Sequence, residues 1–175
     1  MLQAILIDDP TIVEMRGDNK TTLLIQAALY NNPLIVKCLI DAGSDVYAVN
    51  VYERNAYHYS AYYGHHEVLN VLINLDVTRI NNVDKFNDTP LHDASSNDNI
   101  ECVKLLLSIP HIDVNIRNID NETAYDVARN DTIKRLLQEH RREQLTDKLL
   151  FFIFLRNFKS HTTHCFIKNV HFKII

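Results

Sequence analysis

Glycine and proline are scarce, with three and four residues respectively in a chain of 175. So little punctuation disfavours many short strands and favours helices joined by short turns. Cysteine is equally sparse, and Cys38, Cys102 and Cys165 are odd in number and far apart. That suits reduced thiols in an intracellular, cytoplasmic setting better than a disulfide framework. The opening MLQAILIDDP has no basic stretch and only a short apolar run, so it does not read as a signal peptide. Four N-x-T triplets, starting at Asn19, Asn87, Asn121 and Asn130, would accept glycans only in a secreted chain. There is no G-x-S-x-G, no phosphate-binding loop and no H-E-x-x-H, so no motif calls for catalysis.

What is present suits one folded domain. Hydrophobic residues make up 46% and charged residues 23%, which argues against disorder, and the length allows a sizeable core. Charge is uneven. Residues 141–175 hold seven Lys and Arg against Glu143 and Asp147, a net +5, which leaves −9 of the total −4 for residues 1–140. An acidic body repels phosphate backbones, so nucleic acid is not expected as a partner.

Self-similarity organises the rest. Asp84–Asn115 aligns with Asn50–Asn81 at an offset of 34, placing Thr89 on Asn55, His92 on His58 and Glu101 on Glu67. Thr22–Ala48 fits one residue shorter upstream, and Asn121–His140 begins again downstream. Ile5-Leu6-Ile7 reads as the end of a preceding unit, matching Cys38-Leu39-Ile40. Thr22, Asn55 and Thr89 stand where a side-chain oxygen can cap a helix, and Pro90 fits a first helical position. Leu24, Tyr57, Leu91 and Tyr125 open a buried stripe. It is continued by the small residues Ala27/Ala28, Ser60/Ala61, Ala94/Ser95 and Ala128, which let neighbouring helices approach. Val36–Ile40, Val68–Ile73 and Val103–Leu107 then supply second helices. Ile133, Leu136 and Leu137 are spaced to close the last unit, with Lys134, Arg135 and Glu139 on the outer face.

Thr89-Pro90-Leu91-His92-Asp93-Ala94 matches T-P-L-H-x-A, which at a period of about 33 residues is the ankyrin signature. The chain therefore resembles an ankyrin-repeat protein over roughly residues 3–140. The resemblance implies an all-α solenoid of helix-turn-helix units joined by hairpin-like turns. The units are a partial one at 1–14, full ones at 17–49, 50–83 and 84–117, and a capping one at 118–140. Residues 141–175 form a separate tail. Asn87 and Asn121 stand where the family usually has Gly in the hairpin turn, because Asn tolerates a left-handed backbone.

The densest run of reactive side chains is YHYSAYYGHHE, Tyr57 to Glu67. The resemblance gives His58 and His92 a structural hydrogen bond across neighbouring hairpin turns. His65 and His66 fall at the inter-helix turn, and His58 and His65 lack the spacing zinc prefers, so no metal or other cofactor is expected. Glu67 suits the start of a helix. Tyr62 and Tyr63 occupy the variable positions that face the concave groove in this family, matched by Leu29/Tyr30 and Ser96/Asn97. The hairpin tips add Tyr52 and Arg54 in one unit and Lys85, Phe86 and Asp88 in the next. Tyr, Phe and Arg are the types most enriched at interface hot spots. The alternative is that these tyrosines replace Leu or Ala and pack locally.

The resemblance thus implies a monomeric, non-enzymatic module whose partner is another protein. Asn and Ile number 18 each, a bias of AT-rich coding sequence. Short ankyrin proteins of this type resemble those of intracellular bacteria and large DNA viruses, which would suit a host-directed effector in host cytoplasm. The tail holds six of the seven Phe, and Leu149–Leu155 is too short to span a bilayer. Three readings of it stand: docking on the last repeat or a partner, weakly selected sequence, or a membrane-surface anchor flanked by Lys148 and Arg156. His161, His164, Cys165 and His171 do not have a metal-ligand spacing.

Overall fold

The structure, a computed structural model, describes residues 10–161. They fall into two compact units divided between Gln138 and Glu139. Residues Ile5-Leu6-Ile7, and His164, Cys165, Phe166, His171 and Phe172 of the tail, lie outside the described residues.

The first unit repeats one motif. Its first helices are α1 (Leu23–Leu29), α3 (Ala56–Tyr62), α5 (Pro90–Ser96) and α7 (Ala124–Val127). Each follows a residue whose side-chain oxygen accepts a main-chain N–H that the first turn leaves unpaired: Thr22, Asn55, Thr89 and Thr123. In α3 and α5 the main-chain N–H of the cap donates back to Nδ1 of His58 (3.4 Å) and His92 (3.2 Å), closing a capping box. In α7 the carboxylate of Asp126 takes that place, accepting from the Thr123 N–H at 2.9 Å. With Nδ1 accepting, the ring proton sits on Nε2. It donates to the Asp88 carbonyl from His58 (3.1 Å) and to the Glu122 carbonyl from His92 (3.2 Å). Each histidine thus ties its helix start to the next unit, as the resemblance implied.

Second helices are α2 (Pro33–Asp41), α4 (His66–Leu75), α6 (Ile100–Leu107) and α8 (Asp131–His161). The first helices pack in series, α1 on α3 on α5 on α7, and α2, α4 and α6 pack likewise. The close contact depends on small residues: Ala28, Ser60, Ala61, Ala94 and Ser95 are completely buried. Tyr57 occupies a core position normally apolar and is buried too, its hydroxyl 3.0 Å from the Leu72 carbonyl and within reach of the Asp76 carbonyl. Its polar end is hydrogen-bonded, which offsets the cost of taking the hydroxyl out of water. Upstream, a 3₁₀ helix at Pro10–Glu14 adds Ile12 and Val13 to the same core.

The turns between units are built alike. Asn50, Asp84 and Asn118 each accept two main-chain N–H groups from the following four residues, folding a tight tip. Asn87 and Asn121 adopt φ of 62°, the left-handed conformation expected of them. Glu53 does the same at φ 61° with no sequence cue. Successive tips are joined by main-chain bonds, Val51 N–H to Asn19 O (2.9 Å), Lys85 N–H to Tyr52 O (3.1 Å) and Ile119 N–H to Phe86 O (3.0 Å). Among the described residues no strand forms beyond an isolated bridge between Arg16 and Thr22.

The last unit is short. Ile133 and Leu137 are buried and Leu136 partly so, while Tyr125 is only half-buried and accepts from Gln138 Nε2 at 2.8 Å. The helix continues past His140 to His161 because nothing between them is Gly or Pro, the residues that stop helices most strongly. Among the described residues no helix is long and apolar enough to cross a membrane.

Candidate protein-interaction surface

Tyr62 closes α3 and Tyr63 caps it, and Gly64 at φ +73° turns the chain into α4. The two rings meet edge to face with centroids 5.0 Å apart, and Tyr63 stacks on His65 at 5.9 Å. His65 in turn contacts the Leu29 carbonyl through Nε2 at 3.0 Å, anchoring the turn to the previous unit. The tyrosines are 38% and 51% exposed, so an otherwise fixed pair of rings faces solvent.

Arg54 packs against one ring of this pair, Tyr62. Its guanidinium lies 5.1 Å from the Tyr62 ring centroid and 5.3 Å from that of Tyr59. It is ion-paired with Asp93 and, at 3.6 Å, with Asp84. Both carboxylates are almost wholly buried, and a buried carboxylate needs a cation or hydrogen bonds to stay charged. The demand draws Arg54 inward, leaving its side chain 16% exposed. Burial pushes the Asp93 carboxyl up to about 7 against the pull of Arg54. Burial opposes the Arg54 charge, but Asp93 and Asp84 together hold its pKa above the ordinary value. Burial, with Arg54 adding repulsion, pushes His58 down to about 4, so it is neutral at physiological pH.

The other predicted positions divide. Tyr52 and Lys85 are exposed on adjacent tips joined through main chain, and Phe86 is exposed beside Lys85. Tyr30 stands 76% exposed at the end of α1. Asn97 is exposed at the end of α5, its amide donating to the Asp93 carbonyl (2.9 Å) and Ser96 Oγ (3.1 Å). Asp88 is half-buried and serves the next tip, accepting from Asn118 Nδ2 at 3.1 Å. Ring contacts bring together only Arg54, Tyr62 and Tyr63 of the predicted set. Tyr59, Asp84 and Asp93 are the supporting residues that sequence reasoning missed. Asp93 alone offered a signal, a carboxylate in the midst of the buried stripe.

Among the described residues no group of three His, Cys, Asp or Glu side chains could hold a metal ion. Burial pushes the Cys102 thiol up to about 12, which leaves it protonated.

Comparison with known proteins follows the repeats. A family model described as "Ankyrin repeats (3 copies)" matches residues 2–82, 24–118 and 78–148. The ankyrin repeat protein nuc-2 of Neurospora crassa is 32% identical over 89 residues, 51% of this chain and 8% of its own. BCL-6 corepressor-like protein 1 of Homo sapiens is 32% identical over 129 residues, 74% of this chain and 7% of its own. The chain therefore spans less than a tenth of the length of either relative.

Proposed function

The chain belongs to the ankyrin-repeat family, and from that premise we propose that it is a non-enzymatic module that binds another protein through the concave face of its array. Repeats of this family generally serve protein–protein interaction. The observation that carries the reading is the Tyr62–Tyr63 pair, exposed yet held by Arg54 and His65. Aromatic side chains fixed before binding lose little conformational entropy on binding and bury much area. Tyr52, Lys85 and Phe86 extend the surface along the tips, with Tyr30 and Asn97 at the ends of the flanking first helices. Asp88 contributes at the base of its tip. Arg54 acts mainly through Tyr62, since most of its own surface is covered.

The test compares the wild type with Tyr62→Ala/Tyr63→Ala in affinity capture from extract, followed by titration with the purified captured protein. Interface hot spots contribute about 2 kcal/mol each, so the double variant should bind at least a hundredfold more weakly. A purified partner that binds both proteins equally places the site elsewhere.

A second reading, membrane association through the basic aromatic tail, draws on a separate observation: apolar side chains of α8 between Leu149 and Ile153 are exposed.

A further inference from the structure

Residues 149–155, LLFFIFL, are helical, and Leu149, Leu150, Phe151, Phe152 and Ile153 are each 55–66% exposed. At roughly 100° per residue, seven consecutive apolar side chains surround the helix axis with no gap wider than about 60°. A helix at the surface of a globular protein shows one apolar stripe and one polar face instead. A groove on a partner covers a stripe and leaves the opposite side chains in water, and so does a second copy packed alongside. An apolar medium covers them all.

The stretch is about 10 Å long against a hydrocarbon core of ~30 Å, so it cannot span a bilayer. Cations flank it in the sequence: Arg141, Arg142 and Lys148 before it, Arg156 and Lys159 after it. Long cationic side chains bury their stems and reach headgroup phosphates, and anionic leaflets attract such clusters. Charge alone would be opposed by the net −9 of residues 1–140, so the apolar stretch must supply part of the attraction.

We infer that residues 149–155 bind an anionic membrane, sunk below the headgroups of one leaflet so that acyl chains surround the apolar stretch while the cations on either side of it in the sequence reach the phosphates. This rests on the second reading above and specifies its ligand, lipid with a net negative headgroup.

The test is flotation of the full chain with phosphatidylcholine vesicles and with vesicles in which about 30% is phosphatidylserine, the anionic component of the attraction. The chain should float with the mixed vesicles, at least tenfold less with phosphatidylcholine alone, and less as salt rises. Phe151→Asp/Phe152→Asp should abolish flotation while circular dichroism shows the array folded, and Tyr62→Ala/Tyr63→Ala should float like the wild type. Equal flotation with both vesicles would overturn the anionic-lipid inference and leave the membrane reading standing. No flotation with either would overturn both. So would a discrete oligomer in analytical ultracentrifugation that Phe151→Asp/Phe152→Asp dissociates, because a second copy would then be what covers the helix.

Discussion

Replacing Gly64 by Ala tests how the second and third full units are locked together. Gly64 lies at φ +73°, and an added Cβ would sit 2.5 Å from Oδ1 of Asn99. That asparagine reaches across from the next unit, its amide donating to the Ala61 and Tyr62 carbonyls at 2.8 Å each. Alanine in the left-handed region costs about 1–2 kcal/mol. Displacing Asn99 forfeits two hydrogen bonds of about 1 kcal/mol each, so Gly64→Ala should cost roughly 3–4 kcal/mol. Asn99→Ala alone loses only the bonds, about 2 kcal/mol. The double variant should be no less stable than Gly64→Ala, because the first substitution has already broken what the second removes. Urea unfolding followed by circular dichroism measures all three, provided the m-values agree. A Gly64→Ala loss of only about 1–2 kcal/mol that adds fully to the loss from Asn99→Ala would refute the argument by showing that Asn99 keeps its bonds beside an alanine.

Three further outcomes follow from other contacts. His58 is held near pKa 4 in the folded chain against 6.5 as its ordinary value, so the unfolded chain takes up the proton first as pH falls. Its contribution is complete above pH 6.5 and is lost down to about pH 4, a difference of about 3 kcal/mol. Asp93, pushed up to about 7, acts with the opposite sign, so the stability difference between wild type and His58→Gln, measured across that window, isolates the histidine. A difference that does not change with pH would contradict the assignment. At the tips, Glu53→Gly should stabilise by about 0.5–1 kcal/mol by relieving a left-handed backbone, offset in part by chain entropy. Asn87→Gly should gain little, since it also loses the bond from Asn87 Nδ2 to the Arg117 carbonyl; thermal unfolding compares the two. Arg54→Ala strands the carboxylates of Asp84 and Asp93 and should cost about 3 kcal/mol, with Arg54→Ala/Asp93→Ala less than the sum of its parts in a double-mutant cycle.

The repeating frame was legible because its causes are local. Caps, the Pro90 helix start and the alternation of small and large apolar residues all act within a few positions, and the 34-residue offset shows them several times. Asn87 and Asn121 were legible as left-handed because Asn is a residue that tolerates the conformation. Glu53 was not: its neighbours in the tip impose the φ, and nothing in its own chemistry announces it. Arg54 and its partners were illegible for a different reason. Asp84 and Asp93 lie 30 and 39 positions along the chain and meet the guanidinium only once two units stack. The same holds for Asn99 closing over Gly64. The length of α8 was missed because the shift in composition at residue 140 looked like the end of an element, whereas helix formers continue across it.

On the proposed function, this array binds protein through the face made by its tips and the ends of its first helices. Hydrogen–deuterium exchange of the full chain, free and saturated with the purified captured partner, tests it most directly. Protection should appear in residues 52–54, 62–64 and 85–88, with the second helices α2, α4 and α6 unchanged. Protection confined to those second helices, with Tyr62 and Tyr63 as open as in the free chain, would contradict it.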